Sequence, residues 1–479
     1  MKKNYLFLCA LSLIIGLSGC TYQVKKERPN ILMIIVDDLK PELGCYDKDY
    51  IISPNIDKLA DEAVVFKRAY CNIPVCGASR ASMMTGQYPN RITFTDFKTY
   101  MDVDAPGTVT LPEYFKNNGY NTVSFGKVFH HMDDALRSWS KTPWRPDYPN
   151  DIHTQEYWRD YRAPENIWTK DSLLPGGAPG PAWESPDVPD NTYYDGKVAE
   201  KAVEQLEKFA STNQPFFLSV GFLKPHLPFN APLKYWKVYS ENDILLAPNP
   251  FMPENAPASA NFNSHELRAY TNIPKGTEPI NDSLALILKH GYYSCVSYTD
   301  AMIGNILRKL HDTELDKNTI VVLWGDHGWS LGEHTHWGKH TCFHPCLNIP
   351  FIIKAPGVKA SKSSALVSLV DIYPTLCELT GIPMKERLDG KSIVNILKDP
   401  SGTGQEQYSR FPNGETIVNE RYVYTEYYNK EGKYVSHMLY DLESDPLETV
   451  NIADMPEYEM IVQELSEKLR RHIKEVNSR

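Results

Sequence analysis

The sequence predicts an α/β protein built on a large, mostly parallel sheet sandwiched by helices, followed by a smaller C-terminal antiparallel sheet with a helix. Three observations carry that expectation. Five short apolar runs read as buried strands, amphipathic helical patterns lie between them, and from about residue 400 the texture changes to alternating aromatic and polar residues. Continuous apolar runs suit strands covered on both faces, as parallel strands are. Strands alternating with helices then favour a parallel sheet.

The chain opens Met1-Lys2-Lys3, continues with an apolar run from Tyr5 to Leu17 and reaches Leu17-Ser18-Gly19-Cys20. A basic start and a short apolar core form a secretory signal, too short for a comfortable membrane span. The small residues before Cys20 are similar to the bacterial lipobox. Residues 1–19 are therefore expected to be removed and Cys20 to carry a lipid, with 20–28 as a tether. The expected location is the periplasm or outer membrane of a Gram-negative bacterium.

The expected strands are Ile31 to Val36, Thr122 to Phe125, Phe216 to Val220, Ile320 to Trp324 and Phe351 to Ile353. Ile56, Leu59, Ala60 and Ala63 share one helical face, as do Val198, Ala202, Leu206 and Phe209, and Pro54 suits a helix start. Nine prolines fall between Pro143 and Pro189, alongside Trp139, Trp144, Trp158, Trp168 and Trp183, and six more fall between Pro248 and Pro279. These stretches cannot be regular helix or central strand, so they are expected to be long loops framing a cleft. A large domain over 29–400 gives way to a C-terminal α+β subdomain over 401–479. There Thr416 to Tyr428 and Tyr434 to Leu442 read as antiparallel strands, and about Tyr458 to Ile473 as a covering helix.

Of the 479 residues, 42% are hydrophobic and 23% charged, which supplies a core and excludes global disorder. The net charge of −10 leaves no overall basic field for nucleic acid, and loss of the signal makes the chain more acidic still. An anionic substrate must therefore be held by a local pocket. Seven cysteines remain besides Cys9 and Cys20, and an odd number in an exported protein leaves at least one outside any disulfide.

The strands run directly into polar residues: Asp37-Asp38, Gly126-Lys127 with His130, Lys224-Pro225-His226, and Gly325-Asp326-His327. Ligands of open parallel sheets bind outside the carboxyl ends of the strands, so four strands deliver polar groups to one rim. Asp37, Asp38, Asp326 and His327 form an oxygen-rich set suited to Ca²⁺, Mg²⁺ or Mn²⁺ rather than Zn²⁺. His327, His334, His336, His340 and His344 cluster within eighteen residues, at spacings that match no zinc motif. Cys76 lies just ahead of a helix start, where backbone N–H groups favour an anion, and Arg80 follows one turn later. On the residues alone, a thiol nucleophile and a buried inert cysteine both remain open.

Cys76-x-Ala78-x-Arg80 followed by Thr85-Gly86 resembles the signature of the type I, formylglycine-dependent sulfatases. Asp37-Asp38, Gly126-Lys127, Lys224-Pro225-His226, Gly325-Asp326-His327-Gly328, Lys339 and Leu439-Tyr440-Asp441-Leu442 with Asp445-Pro446 fall in family order, so the resemblance spans almost the whole mature chain. Asp38-Leu39-Lys40-Pro41, Leu43-Gly44-Cys45-Tyr46, Gly126 to His130 and Val220 to Phe229 are similar to the iduronate-2-sulfatase branch. Ala78 departs from the proline of many members, and Gly77 is unusually small.

The resemblance implies an alkaline-phosphatase/sulfatase-like fold and oxidation of Cys76 to formylglycine by a formylglycine-generating or anaerobic sulfatase-maturating enzyme. It also implies one Ca²⁺ held by Asp37, Asp38, Asp326, His327 and the modified Cys76. The formylglycine hydrate attacks sulfur while Arg80, Lys127 and Lys339 neutralise charge. His226, or failing it Lys339, protonates the leaving sugar oxygen, and His130 assists release of sulfate. Lys224, His226 or His340 pairs with a uronate carboxylate, in line with a sulfated glycosaminoglycan oligosaccharide as substrate. Other readings are a sulfatase of another sulfated sugar, a phosphomonoesterase or phosphonate hydrolase of the same superfamily, and a non-catalytic glycan-binding lipoprotein.

Overall fold

The computed structural model describes residues 28–478 except 147–159, 174–179, 213 and 385–386. The expected signal, Cys20 and Trp158 lie outside the described residues. Seven strands form the main sheet: β1 (Asn30–Val36), β2 (Val64–Tyr70), β3 (Asn121–Gly126), β4 (Phe216–Phe222), β5 (Thr319–Gly325), β6 (Asn348–Lys354) and β7 (Ser361–Ser368). Their order across the sheet is β7-β2-β6-β5-β1-β4-β3.

The helices that cover this sheet are α1 (Pro54–Ala60), α2 (Cys76–Thr85), α3 (Leu111–Asn117), α4 (Tyr194–Ala210), α5 (Asp282–Asp312) and α6 (Ile372–Thr380). Leu32, Ile34 and Val36 of β1 enter one core with α1, α4 and α5. Ile31, Met33 and Ile35 enter the other with α2, α3 and α6. Both faces of β1 are thus dry, which is why its sequence is apolar at every position.

All five expected strands exist, but β6 corrects the expectation of a parallel run at Phe351 to Ile353. It pairs antiparallel with β5 and with β2. Between β5 and β6 there is no covering helix to carry the chain back across the sheet, so β6 starts at the end where β5 stops and must run in reverse. Burial on both faces gives it the same apolar signature as a parallel strand. β2 and β7 were not marked by apolar runs, because Lys67 and Arg68 interrupt β2 and β7 is rich in serine. The helix at Pro54 closes at Ala60, and Ala63 packs from the turn ahead of β2.

The C-terminal sheet is a meander of β8 (Gln407–Phe411), β9 (Gly414–Val418), β10 (Tyr422–Tyr428) and β11 (Tyr434–Asp441), covered by α7 (Glu459–Asn477). Leu465 and Leu469 of α7 pack on Ile417, Tyr424 and Leu439. Cys45, Cys71, Cys76, Cys295, Cys342, Cys346 and Cys377 are all buried and unpaired. Among the described residues no helix is long and apolar enough to cross a membrane.

Candidate active site

The four strands that carry the polar rim, β5, β1, β4 and β3, are consecutive in the sheet and mutually parallel. Their carboxyl ends therefore open on one edge, where Asp37, Asp38, Lys127, His226, Asp326 and His327 meet. Asp38 adopts a left-handed conformation (φ 59°), which turns the chain sharply out of β1 and suits aspartate better than most residues. Cys76 is the first residue of α2, with Val75 as an extended N-cap.

One ligand atom from each of Asp37, Asp38, Cys76 and His327 lies within 4.8 Å of all the others, and all four residues are buried. His327 Nε2 is 3.3 Å from Cys76 Sγ and 3.6 Å from Asp326 Oδ1. Asp326 is turned partly toward Arg80: its Oδ2 accepts from Arg80 Nε at 2.8 Å, and its Oδ1 accepts the backbone N–H groups of Asp38 and His327. Asp37 Oδ1 and Arg80 Nη2 are buried without a hydrogen bond among the described residues and face each other as an ion pair at 3.5 Å. A carboxylate oxygen that accepts no hydrogen bond, beside a second carboxylate and an imidazole, fits a hard divalent cation, which would complete its contacts.

Cations surround this group. Lys127 Nζ pairs with Asp37, and Lys339 Nζ lies 3.0 Å from Asp38 Oδ1 and 3.3 Å from Glu266. Arg80 is fully buried and donates to the carbonyl oxygens of Lys127 and Val128. Burial pushes the Asp37 carboxyl up, but Lys127 and Arg80 more than reverse this and hold it well below its ordinary range. Burial, and then the charge on Asp37, push the Cys76 thiol up to about 12. Thiolate is accordingly scarce, and unmodified Cys76 is a weak nucleophile.

His226 faces the same pocket. Its Nε2 is 3.0 Å from Glu266 and 4.0 Å from Asp38, and Nδ1 contacts Leu227 O at 2.6 Å. The loop is anchored by Asp195, which accepts the backbone N–H groups of Leu223 and Lys224 at 2.8 and 2.7 Å. Lys224 has a different place from that of a carboxylate partner. Its buried ammonium donates to His226 O and Pro228 O at 2.9 and 2.6 Å, bracing the loop from beneath.

His130 lies against Lys127, and burial followed by that charge lowers its basicity well below the ordinary value. Arg145, from the first proline-rich stretch, donates to the carbonyls of Phe129 and His130. His340 stacks on His265 at 5.1 Å and on Phe411 at 5.0 Å. Burial lowers it to about 3, so the ring is neutral at neutral pH. His334, His336 and His344 lie outside the metal-capable cluster.

Sequence reasoning missed Glu266. It comes from the short turn His265–Arg268 inside the second proline-rich stretch and reaches both His226 and Lys339. No local motif marked it. The only signal was that this stretch was expected to frame the site.

A metal-capable cluster at the mouth of a parallel sheet, ringed by buried cations and closed by a buried cysteine at a helix N-terminus, defines a site suited to hydrolysis of anionic esters. A family model described as Sulfatase matches residues 29–382. The chain belongs to the sulfatase family and is a sulfuric ester hydrolase. A second model, described as the C-terminal part of N-sulphoglucosamine sulphohydrolase, matches residues 332–475.

Iduronate 2-sulfatase of Homo sapiens is 35% identical over 446 residues, covering 81% of this chain and 79% of that protein. The Mus musculus iduronate 2-sulfatase is 35% identical over 395 residues, covering 75% and 70%. A solved structure in complex with its substrate D-glucosamine-2-N,6-O-disulfate superposes with TM-score 0.73 at 21% identity, over 94% of this chain and 98% of that one. A 2-O GAG sulfatase structure gives 0.68 at 23% identity, over 94% and 93%. At these identities the structural likeness is one of fold.

Proposed function

We propose that this protein is an exported, Ca²⁺-dependent sulfatase that removes the 2-O-sulfate from a uronic acid residue. The residue would be iduronate or unsaturated uronate in fragments of heparin, heparan sulfate or dermatan/chondroitin sulfate. The observation that carries the chemistry is the close approach of Cys76 to Asp37, Asp38 and His327 at the N-terminus of α2. The uronate preference is supported by the 35% identity to iduronate 2-sulfatase.

Asp37, Asp38, Asp326 and His327 would hold calcium, which supplies positive charge to a sulfate oxygen and to the nucleophile. Formylglycine at Cys76, formed by a maturation enzyme, supplies a hydrated aldehyde as the attacking group. Arg80, Lys127 and Lys339 hold the sulfuryl oxygens, where fixed cations in a water-poor site act most strongly on developing charge. His226, fixed between Leu227 O and Glu266, is placed to give a proton to the leaving sugar oxygen, with Lys339 as the second donor. His130, kept neutral by its surroundings, is free to accept a proton when sulfate is released. His340 would hydrogen-bond the sugar as a neutral ring. Export rests on the N-terminal sequence, with a lipid on Cys20 tethering the enzyme at the periplasmic or outer-membrane surface.

The test pairs a mass measurement of the Cys76 peptide from the native host with assays on 2-O-sulfated unsaturated disaccharides. Formylglycine and rapid desulfation are expected. Fully active protein with unmodified cysteine would overturn the mechanism. Rapid action on 6-O-sulfated glucosamine with none on 2-O-sulfated uronate would overturn the substrate.

A further inference from the structure

The histidine-rich stretch between β5 and β6 is only partly used by the site above: Lys339 reaches it, while His334, His336 and His344 do not. The chain there folds into a narrow hairpin, with Ser330 and Leu331 paired antiparallel to Gly338 and Trp337. Lys339 follows the second strand of that hairpin directly and reaches Asp38 and Glu266. His334 stands at the hairpin tip, and His344 opens the short helical turn His344–Leu347. Lys339 lies midway between these two histidines in the chain.

One side chain holds both ends. Glu448, from the turn after β11 in the C-terminal subdomain, is 1% exposed. Its two carboxyl oxygens accept the His344 backbone N–H at 3.2 and 3.0 Å, and Oε2 lies 3.3 Å from His334 Nε2. The His334 backbone N–H donates to Asn249 O at 2.9 Å, its ring stacks on Phe343 at 4.2 Å, and His344 Nε2 lies 3.3 Å from the Tyr70 hydroxyl. The backbone shows that this meeting is imposed by the surroundings. Glu448, His334 and Thr335 are all left-handed, with φ of 53°, 54° and 63°, a strained conformation for residues with a Cβ that persists where neighbours over-determine it.

Burial pushes the Glu448 carboxyl up to about 8 against the favourable His344 N–H, and burial lowers His334 to about 4. At neutral pH both groups are therefore mostly uncharged. An acid O–H donating to His334 Nε2 and a carboxyl oxygen accepting from the His344 N–H then satisfy the contact with no buried charge. We propose that Glu448 is a positioning residue of the active site: by clasping both ends of the 334–344 loop it fixes Lys339 against Asp38 and Glu266. The C-terminal subdomain thereby contributes to hydrolysis through Lys339. This rests on the role given to Lys339 in the proposed function, and not on which sulfated sugar is the substrate.

The test measures kcat/KM for the full chain, matured in the native host, on whichever sulfated disaccharide the parent turns over fastest. Glu448→Ala is expected to lose roughly 10- to 100-fold, as misplacement of a reacting group does. Glu448→Asp, one methylene too short to reach both ends, should fall with it and carries the comparison if the alanine variant does not fold. Glu448→Gln keeps one donor and one acceptor and should stay within about threefold of the parent. In the Lys339→Ala background, Glu448→Ala should cost less than about threefold, because the group it places has gone. Equal fractional losses with and without Lys339 would overturn the proposal, as would a Glu448→Gln loss as large as that of Glu448→Ala. A severe loss in Lys339→Ala beside parental turnover in Glu448→Ala would overturn the clasp alone. Parental turnover in Lys339→Ala would overturn the role of Lys339 and the clasp with it.

Discussion

At the residue scale, the site is built from charges that cannot be removed singly without leaving a partner exposed in a dry pocket. Lys339 bridges Asp38 and Glu266, so Lys339→Ala removes a cation and leaves the buried Asp38 and the half-buried Glu266 carboxylates facing each other. We expect kcat/KM to fall roughly 10²- to 10³-fold, the range for loss of one preorganised charge, with the fold retained by circular dichroism. Cys76→Ala should abolish turnover while leaving Tm nearly unchanged, because the methyl group keeps the helix start. Residual turnover above about one part in 10³ would refute a nucleophile at this position. For Glu266, which braces His226 at 3.0 Å, Glu266→Gln should slow sugar sulfates more than aryl sulfates. Only the poorer leaving group depends strongly on a well-placed proton donor. An equal loss on both substrates would assign Glu266 to binding instead.

At the element scale, two facing glycines set the approach of β3 to β4. Gly126 pairs with Gly221 in register, Gly126 has φ +73°, and a Cβ on Gly221 would overlap the Lys127 carbonyl. That carbonyl also accepts Arg80 Nη1, so the strand ends and the cationic wall are one assembly. Gly221→Ala is therefore expected to cost roughly 1–3 kcal/mol of stability, as overpacking does, and to lower kcat in the same variant by displacing Lys127 and Arg80. Denaturant unfolding alongside kinetics checks both. Gly77 is similar: a Cβ there would meet the Phe97 and Asp96 carbonyl oxygens at 2.7 and 2.9 Å, which explains the small residue beside Cys76. Elements such as β1 and β4 were legible because both faces are buried and every side chain is apolar. The direction of β6 was not, since burial on both faces erases the difference between parallel and antiparallel. In the site, Asp37, Lys127, His226 and Asp326 were legible because each follows a strand. Glu266 was not, because a loop brings it in from 40 residues beyond His226 and leaves no periodicity to read.

At the scale of the whole molecule, the C-terminal sheet is fastened to the large sheet's domain through the chain on either side of α2. Arg410 of β8 donates from its backbone to Asn72 O at 3.0 Å and from Nη1 to Asn90 O at 2.7 Å, and Asn72 Nδ2 donates to Tyr408 O at 2.9 Å. His472 of α7 completes the seam, stacked on Tyr408 at 3.7 Å and edge-on to Tyr88 at 4.7 Å. Burial lowers His472 from 6.5 to about 4, so the native seam holds a neutral ring while the unfolded chain takes up a proton more readily. The sign follows from that order. The contribution is fully present above pH 6.5, declines as pH falls because only the unfolded state gains the proton, and is gone below about pH 4. Asp300 and Asp371, raised to about 6 by burial, act in the opposite sense over an overlapping range, so the curve of the parent protein alone does not isolate the seam. His472→Phe does, because phenylalanine keeps the stack and cannot titrate. Its Tm should decline less than the parent's between pH 6.5 and pH 4 and run parallel to it above pH 7. Parallel curves across the acid range would show that the seam is indifferent to the charge of this ring.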